Sequence, residues 1–322
     1  MVVGSISALH FQGQVSVFSR DARSGAVSAA PTAVINGTAL EGQFGAAVAL
    51  STDGLTLMVG ANGEYDGNFS GGNSSNGAVY VYTRPSIAPG SVWTQTLRLA
   101  PTDPSEDLNF GYALAASANA SVLAVGCSGE ASFAGRVYVY LPNGVTQKLA
   151  ASDNAGQSLF GYSVALSRDG SLLAAGGHFD NNSTGATWVF VRNPVSGLFS
   201  QLQPKLVGSD YDASSGLVWQ GASIALSGDG TLLLVGGQFD AQGEGAVWTY
   251  ARSAASGLFQ QAGSKLTSAM AASGTNIGTG ALFGSPLALS SNGTRLLVSA
   301  RLANSGSVAD TGATFILSLI HI

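Results

Sequence analysis

Two loops carry the residues most able to do chemistry in this 322-residue chain: His178-Phe179-Asp180 and its later counterpart Gln238-Phe239-Asp240. In each, a carboxylate stands beside an aromatic ring. Asp180 with Asn181, or Asp240 with Glu244, offers oxygens that could hold a cation, although the simpler reading makes both aspartates turn-formers. Other loops add Tyr65, Asp66, Phe69 and Phe133, and the connectors add Tyr211, Asp212 and Trp219. Rings and carboxylates on variable loops suit recognition of a protein or glycan partner. Catalysis finds less support. His10, His178 and His321 lie in different parts of the chain, Glu106 and Asp107 sit in a polar connector, and no HExxH, P-loop or dinucleotide fingerprint occurs. No catalytic residue and no cofactor is therefore expected.

Composition narrows the classes further. A net charge of −5, with 13 Lys and Arg scattered rather than striped, argues against a nucleic-acid partner. No apolar stretch reaches the length of a membrane span. The lone Cys127 excludes an internal disulfide and occupies a small-residue position, so it reads as a buried hydrophobe. Seven sequons, at Asn36, Asn68, Asn73, Asn119, Asn181, Asn182 and Asn292, are glycosylation candidates if the chain is secreted.

What positions these residues is a repeat. Units start at Phe44, Phe110, Phe160, Gln220 and Phe283, spaced 50 to 66 residues apart. Each has an apolar run, a turn such as Asp53-Gly54, Asp169-Gly170, Asp229-Gly230 or Asn292-Gly293, a second run ending in small residues, a polar loop and an aromatic third run. A fourth, alternating run carries a recurring cation, in Arg98-Leu99, Lys148-Leu149, Lys205-Leu206 and Lys265-Leu266. The fully apolar runs predict inner strands covered on both faces, and the alternating run predicts an outer strand with one wet face. The cations read as edge charges that discourage sheet-to-sheet pairing, and Asp103, Asp153 and Asp210 as turn-formers. Sheets repeated at this period fit a radial array.

The motifs F-G-x-[SA]-[VL]-A-L-S, V-G-[AG] and G-A-V-Y-V-Y, as in Phe44-Gly45, Val59-Gly60-Ala61 and Gly77 to Tyr82, resemble FG-GAP repeats, the blades of the β-propeller at the N-terminus of integrin α subunits. Gln220 and Ser299 depart from the pattern. The resemblance implies an all-β fold: a β-propeller of four-stranded antiparallel blades in one domain over 1–322. About six blade units are expected, near 1–40, 41–103, 108–153, 158–210, 218–267 and 281–322, the first and last incomplete, as in a fragment of a seven-bladed parent. It also implies an extracellular or cell-surface location and a non-enzymatic role in adhesion or ligand binding; a carbohydrate-binding or glycan-processing propeller is the alternative. Calcium, which integrin-type blades hold in a D-x-[DN]-x-D-G-x-x-D loop, is not expected, because the corresponding turns offer one carboxylate at most. Strand polarity puts the loops after the second and fourth runs on one face, the predicted binding face, and the Asp-Gly turns on the other.

Overall fold

The computed structural model describes residues 1–21, 23–65, 75–88, 90–101, 108–212, 214, 216–271, 280–303 and 311–319. Asp66, Asn68, Phe69, Asn73, Asp103, Glu106, Asp107 and His321 lie outside them. Six antiparallel sheets follow one another along the chain, the propeller expected from the repeat. The second to fifth are four-strand meanders, for example Phe110–Ala116, Leu123–Cys127, Arg136–Tyr140 and Thr146–Leu149. In the fifth, a short extra strand, Leu266–Thr267, pairs with Ala246–Arg252. The first sheet (Val2–Ser5, Gln14–Val17, Ala33–Asn36) and the last (Phe283–Leu289, Arg295–Ala300, Ala313–Ser318) have three strands each. First strands of successive sheets adjoin, which makes them the inner edge of each blade.

The repeat's invariant residues are explained by how blades meet. The Phe of each start is buried: Phe110, Phe160 and Phe283 are fully enclosed, and each packs edge-on or tilted against the third-strand aromatic of its own blade, Tyr138, Trp188 and Phe315. The glycine closing the second strand faces the carbonyl of the next blade's start: a Cβ on Gly126 would meet the Gly161 oxygen, and one on Gly176 the Gly221 oxygen. Neighbouring blades approach there backbone to backbone, which no side chain allows. Gln220 keeps the buried place of the lost Phe by accepting a hydrogen bond from the Gly208 N–H at 2.6 Å.

Each Ser-x-[DN] turn is closed by its own side chains. The Asp169 carboxylate accepts from the Ser167 hydroxyl at 2.6 Å and from the Ser171 N–H and hydroxyl; the Ser227-Asp229-Thr231 and Ser290-Asn292-Thr294 turns repeat the arrangement. Between turns runs a main-chain thread: Thr52 N–H donates to the Ala118 carbonyl, Ala118 to Arg168, Arg168 to Gly228 and Gly228 to Ser291, each at 2.8 Å. Cys127 is fully buried, its thiol against the Leu108 carbonyl, and burial pushes its pKa up, which keeps it an inert thiol.

The recurring cations are not edge charges. Lys205 Nζ reaches Asp180 at 2.6 Å, Lys265 reaches Asp240 at 2.5 Å, Lys148 reaches Glu130 at 2.7 Å and Arg98 reaches Glu64 at 2.6 Å. The cation, on the outer strand in blades two and three and just beyond it in blades four and five, reaches back across its own blade to a carboxylate set three residues after the second strand's last small residue. Asp153 and Asp210 are likewise more than turn-formers. Each comes from a connector and grips the following blade: Asp153 accepts from Trp188 Nε1 at 2.8 Å, Gln201 Nε2 at 3.0 Å and Lys205 N–H at 2.8 Å, and Asp210 does the same for Trp248, Gln261 and Lys265.

Candidate binding face

The long-loop rim brings together some of the predicted residues and withdraws others. Asp180 and Asp240 are withdrawn. Both are fully buried, and besides its lysine each accepts a connector N–H, from Ala155 and Asp212 respectively. Their oxygens are committed inside the protein, so neither reads as a surface contact or a cation ligand, and Glu244 is exposed away from any such set. Among the described residues, no group of three His, Cys, Asp or Glu side chains could hold a metal ion. Tyr211 is partly buried against the core of the fifth blade, and Asp212 is exposed but closes its own turn through Ser214. Tyr65 is exposed on the rim of the second blade.

The other candidates converge. His178 packs edge-on against Tyr162 at 4.1 Å between ring centroids and against Phe179 at 4.4 Å, and tilted against Trp219 at 4.6 Å; Trp219 in turn meets Phe179 at 5.4 Å and Phe239 at 4.5 Å. At the other end Tyr162 packs on Tyr112 at 4.7 Å, and the Tyr112 hydroxyl donates to the Tyr162 hydroxyl at 2.8 Å. The result is one band of rings linking the third, fourth and fifth blades. Tyr112 and Tyr162 escape a reading of the sequence for loops, because they stand within the strand-start motif F-G-Y. The signal was that the same position holds Ala46, Ala222 and Ser285 in the other units.

His178 is itself no surface group. It is 3% exposed, its Nδ1 has no hydrogen-bond partner, and burial pulls its pKa down to about 4, so it is neutral at physiological pH. It acts as a polar wedge inside the band. Beside it, Tyr112, Phe133, Tyr162 and Phe179 wall a cavity of about 340 Å³ whose floor and rim also include Asn109, Ser128 and Gln157. Three of these rings reach solvent: Tyr112 is 38% exposed, Phe133 43% and Phe179 39%. Burial and the Tyr112 hydroxyl raise the Tyr162 pKa, so its phenol stays protonated.

The backbone holds this surface in an unusual conformation. Asn109, Leu159 and Trp219, each just before a blade start, all have positive φ (53°, 55° and 62°), as do Ala131, Ser132 and Phe133 in the cavity loop and Asn181 and Asn182 in the next. Non-glycine residues pay about 1 kcal/mol or more for this region, which persists only where surroundings dictate it. Of the sequons, Asn181 and Asn182 lie exposed on this rim, Asn36 on an outer strand, and Asn119 and Asn292 on the opposite, turn face.

Comparison with known proteins agrees with the architecture. Residues 144–190 match the family model of the FG-GAP repeat. A protein of unknown function from Desulfotomaculum acetoxidans has a similar structure, with a TM-score of 0.53 at 13% identity over 92% of this chain and 71% of that one. So does a "putative 6-phosphogluconolactonase" from Bacteroides fragilis, with a TM-score of 0.52 at 15% identity over 79% of this chain. The chain spans 65% of the length of that protein. No curated protein matches the chain significantly. At such identities the likeness concerns the fold alone.

Proposed function

Because the chain is a β-propeller in which residues 144–190 match the FG-GAP repeat, we propose that it is a non-enzymatic binding module that presents its long-loop rim to a protein or glycan partner outside the cell or at its surface. The observation that carries this reading is the band of rings from Tyr112 to Phe239 with a cavity at its open end. Aromatic side chains supply much of the binding energy of recognition surfaces at little cost in conformational entropy, and a surface already held in place binds without ordering itself first. The groups around the cavity are hydroxyls, carboxamides and rings, which suit holding a ligand. Glycoside cleavage uses a pair of carboxylates flanking the bond, and the rim carboxylates Glu64, Glu130, Asp180 and Asp240 are tied into ion pairs. Integrin-like adhesion is the form of this role that the repeat resemblance suggests. The enzyme name of the Bacteroides fragilis neighbour stays with that protein.

The test compares labelled protein with a Phe133→Ala/Phe179→Ala variant for binding to glycan arrays and to whole-cell surfaces, with Arg168→Ala on the turn face as control. Binding lost in the double variant and kept in the control supports the reading. Equal binding by all three, or no binding by any, overturns it.

A further inference from the structure

We infer that the cavity between the third and fourth blades is a site for a neutral pyranose ring, a claim that rests on the binding-face reading and names its ligand class. The argument starts from what the lining lacks. No charged side chain lines the cavity: His178 beside Tyr162 is kept neutral by burial, and Arg301, the cation whose charge reaches Tyr162, is engaged by the Gln238 carboxamide oxygen at 2.8 Å. A phosphate, a carboxylate or an amine would find no counter-charge in the wall, at considerable desolvation cost.

What the lining offers is two kinds of surface. Tyr112, Phe133 and Phe179 present ring area to solvent, against which the C–H face of a sugar packs. Between them stand groups that both donate and accept: the carboxamides of Asn109 and Gln157 and the hydroxyl of Ser128. The tyrosine pair adds another. With one phenol donating to the other at 2.8 Å, one proton and several lone pairs are left for a third partner. Adjacent sugar hydroxyls, each donor and acceptor at once, match such a set. A purely hydrocarbon or aromatic side chain from a protein partner would fill the same space but leave those polar groups dry and unpaired, which disfavours it.

Size and rigidity agree. A volume of about 340 Å³ is at the small end for ligand sites and accommodates one ring, or two at most. Asn109 and Leu159 are held at positive φ directly before the inner strands of their blades, and Phe133 at positive φ in its loop, so the lining is fixed where the loops join those strands.

The experiment titrates the full chain with methyl glycosides of glucose, galactose and mannose, in parallel with N-acetyltyrosinamide. It follows tryptophan fluorescence, which Trp219 reports through its contact with Phe179, and backbone amide shifts. Saturable shifts around Tyr112, Phe133 and Phe179 with at least one glycoside are expected, weakened about tenfold or more in Phe133→Ala and in Tyr112→Phe/Tyr162→Phe with unchanged thermal unfolding. If the tyrosine amide shifts these residues and no glycoside does, the sugar assignment falls while the binding face stands. If neither ligand acts although the array and cell binding depend on Phe133 and Phe179, the cavity is not the contact point and the inference also falls. Loss of that dependence instead removes the binding face itself.

Discussion

Blades two and three solve the same packing problem differently from blades four and five. In blades two and three the third-strand aromatic is tyrosine and the loop acid is glutamate: Tyr80 donates to Glu64 at 2.7 Å and Tyr138 to Glu130 at 2.8 Å, while the outer-strand cation takes the other carboxylate oxygen. Blades four and five hold tryptophan at that place. Beside the larger ring stands the shorter aspartate, which takes the lysine and a connector N–H instead of a ring hydroxyl, and the indole N–H turns to a second aspartate from the connector. One three-way contact has become two contacts. The second of them ties each blade to the chain segment arriving from its predecessor, so the later blades are coupled more tightly to their neighbours.

The largest effect should come from leaving a buried carboxylate without its counter-charge. Lys205→Met leaves the fully enclosed Asp180 with the Ala155 N–H but no counter-charge and is expected to cost about 3 kcal/mol in urea unfolding, whereas Arg98→Met, where Glu64 keeps Tyr80 and the cation is partly solvated, should cost about 1 kcal/mol. Equal losses would erase the distinction between the two blade types.

Next, blade four can be converted toward blade three. Trp188→Tyr alone removes volume and the donor to Asp153, at about 2–3 kcal/mol, and Asp180→Glu alone overfills its site, at about 1–2 kcal/mol. The double variant should be more stable than the sum of the two predicts by about 1 kcal/mol, because the new phenol and the longer acid complement each other. Strict additivity in the double-mutant cycle would refute the shared logic.

A smaller, pH-dependent effect separates blade four from blade five at one position, His178 against Gln238. The folded pKa of His178 lies near 4, below its unfolded value of about 6.5, so the unfolded chain binds the extra proton. Stability is full above pH 6.5 and is lost as pH falls toward 4, by about 2 kcal/mol, and His178→Gln should abolish that step. A second loss, at lower pH, belongs to Asp153 and Asp210. Burial alone would raise their pKa values, but hydrogen bonds led by the Lys205 and Lys265 N–H groups hold them below the ordinary carboxylate value. Their contribution is present above the unfolded pKa of about 4 and disappears as pH falls through the folded one.

The smallest effect is expected at the turns. Asn292→Asp adopts the residue that Asp169 and Asp229 already use in the same geometry, so stability should move by less than about 0.5 kcal/mol while the sequon disappears. Mass analysis of protein secreted from eukaryotic cells would show whether a glycan is lost with it.

The architecture was legible because repetition exposes it: four Phe-Gly starts and the Gln220-Gly221 variant, paired with small residues at the second strand's end, describe the contact between blades before any coordinates are seen. The ion pairs were hidden by loop length, since Glu64 to Arg98 and Glu130 to Lys148 span very different distances along the chain. Their fixed part, an acid three residues beyond each small-residue end, was readable and was misread as rim chemistry at Asp180 and Asp240. The aromatic band was half legible. Phe133, Phe179, Trp219 and Phe239 announce themselves as exceptions in polar loops, whereas Tyr112 and Tyr162 look like ordinary strand residues, although each follows a positive-φ glycine and the two rings meet across the blade boundary.

The thread of bonds on the turn face uses only peptide groups, so it is indifferent to what each contributing residue carries outward. Thr52, Ala118 and Arg168 hold equivalent places with nothing in common, and only Gly228 is constrained, because a Cβ there would press on Ser291. Those three sites are thus suited to carry a dye, a spin label or a tether at the hub of the molecule, with the opposite rim left free for whatever it recognises.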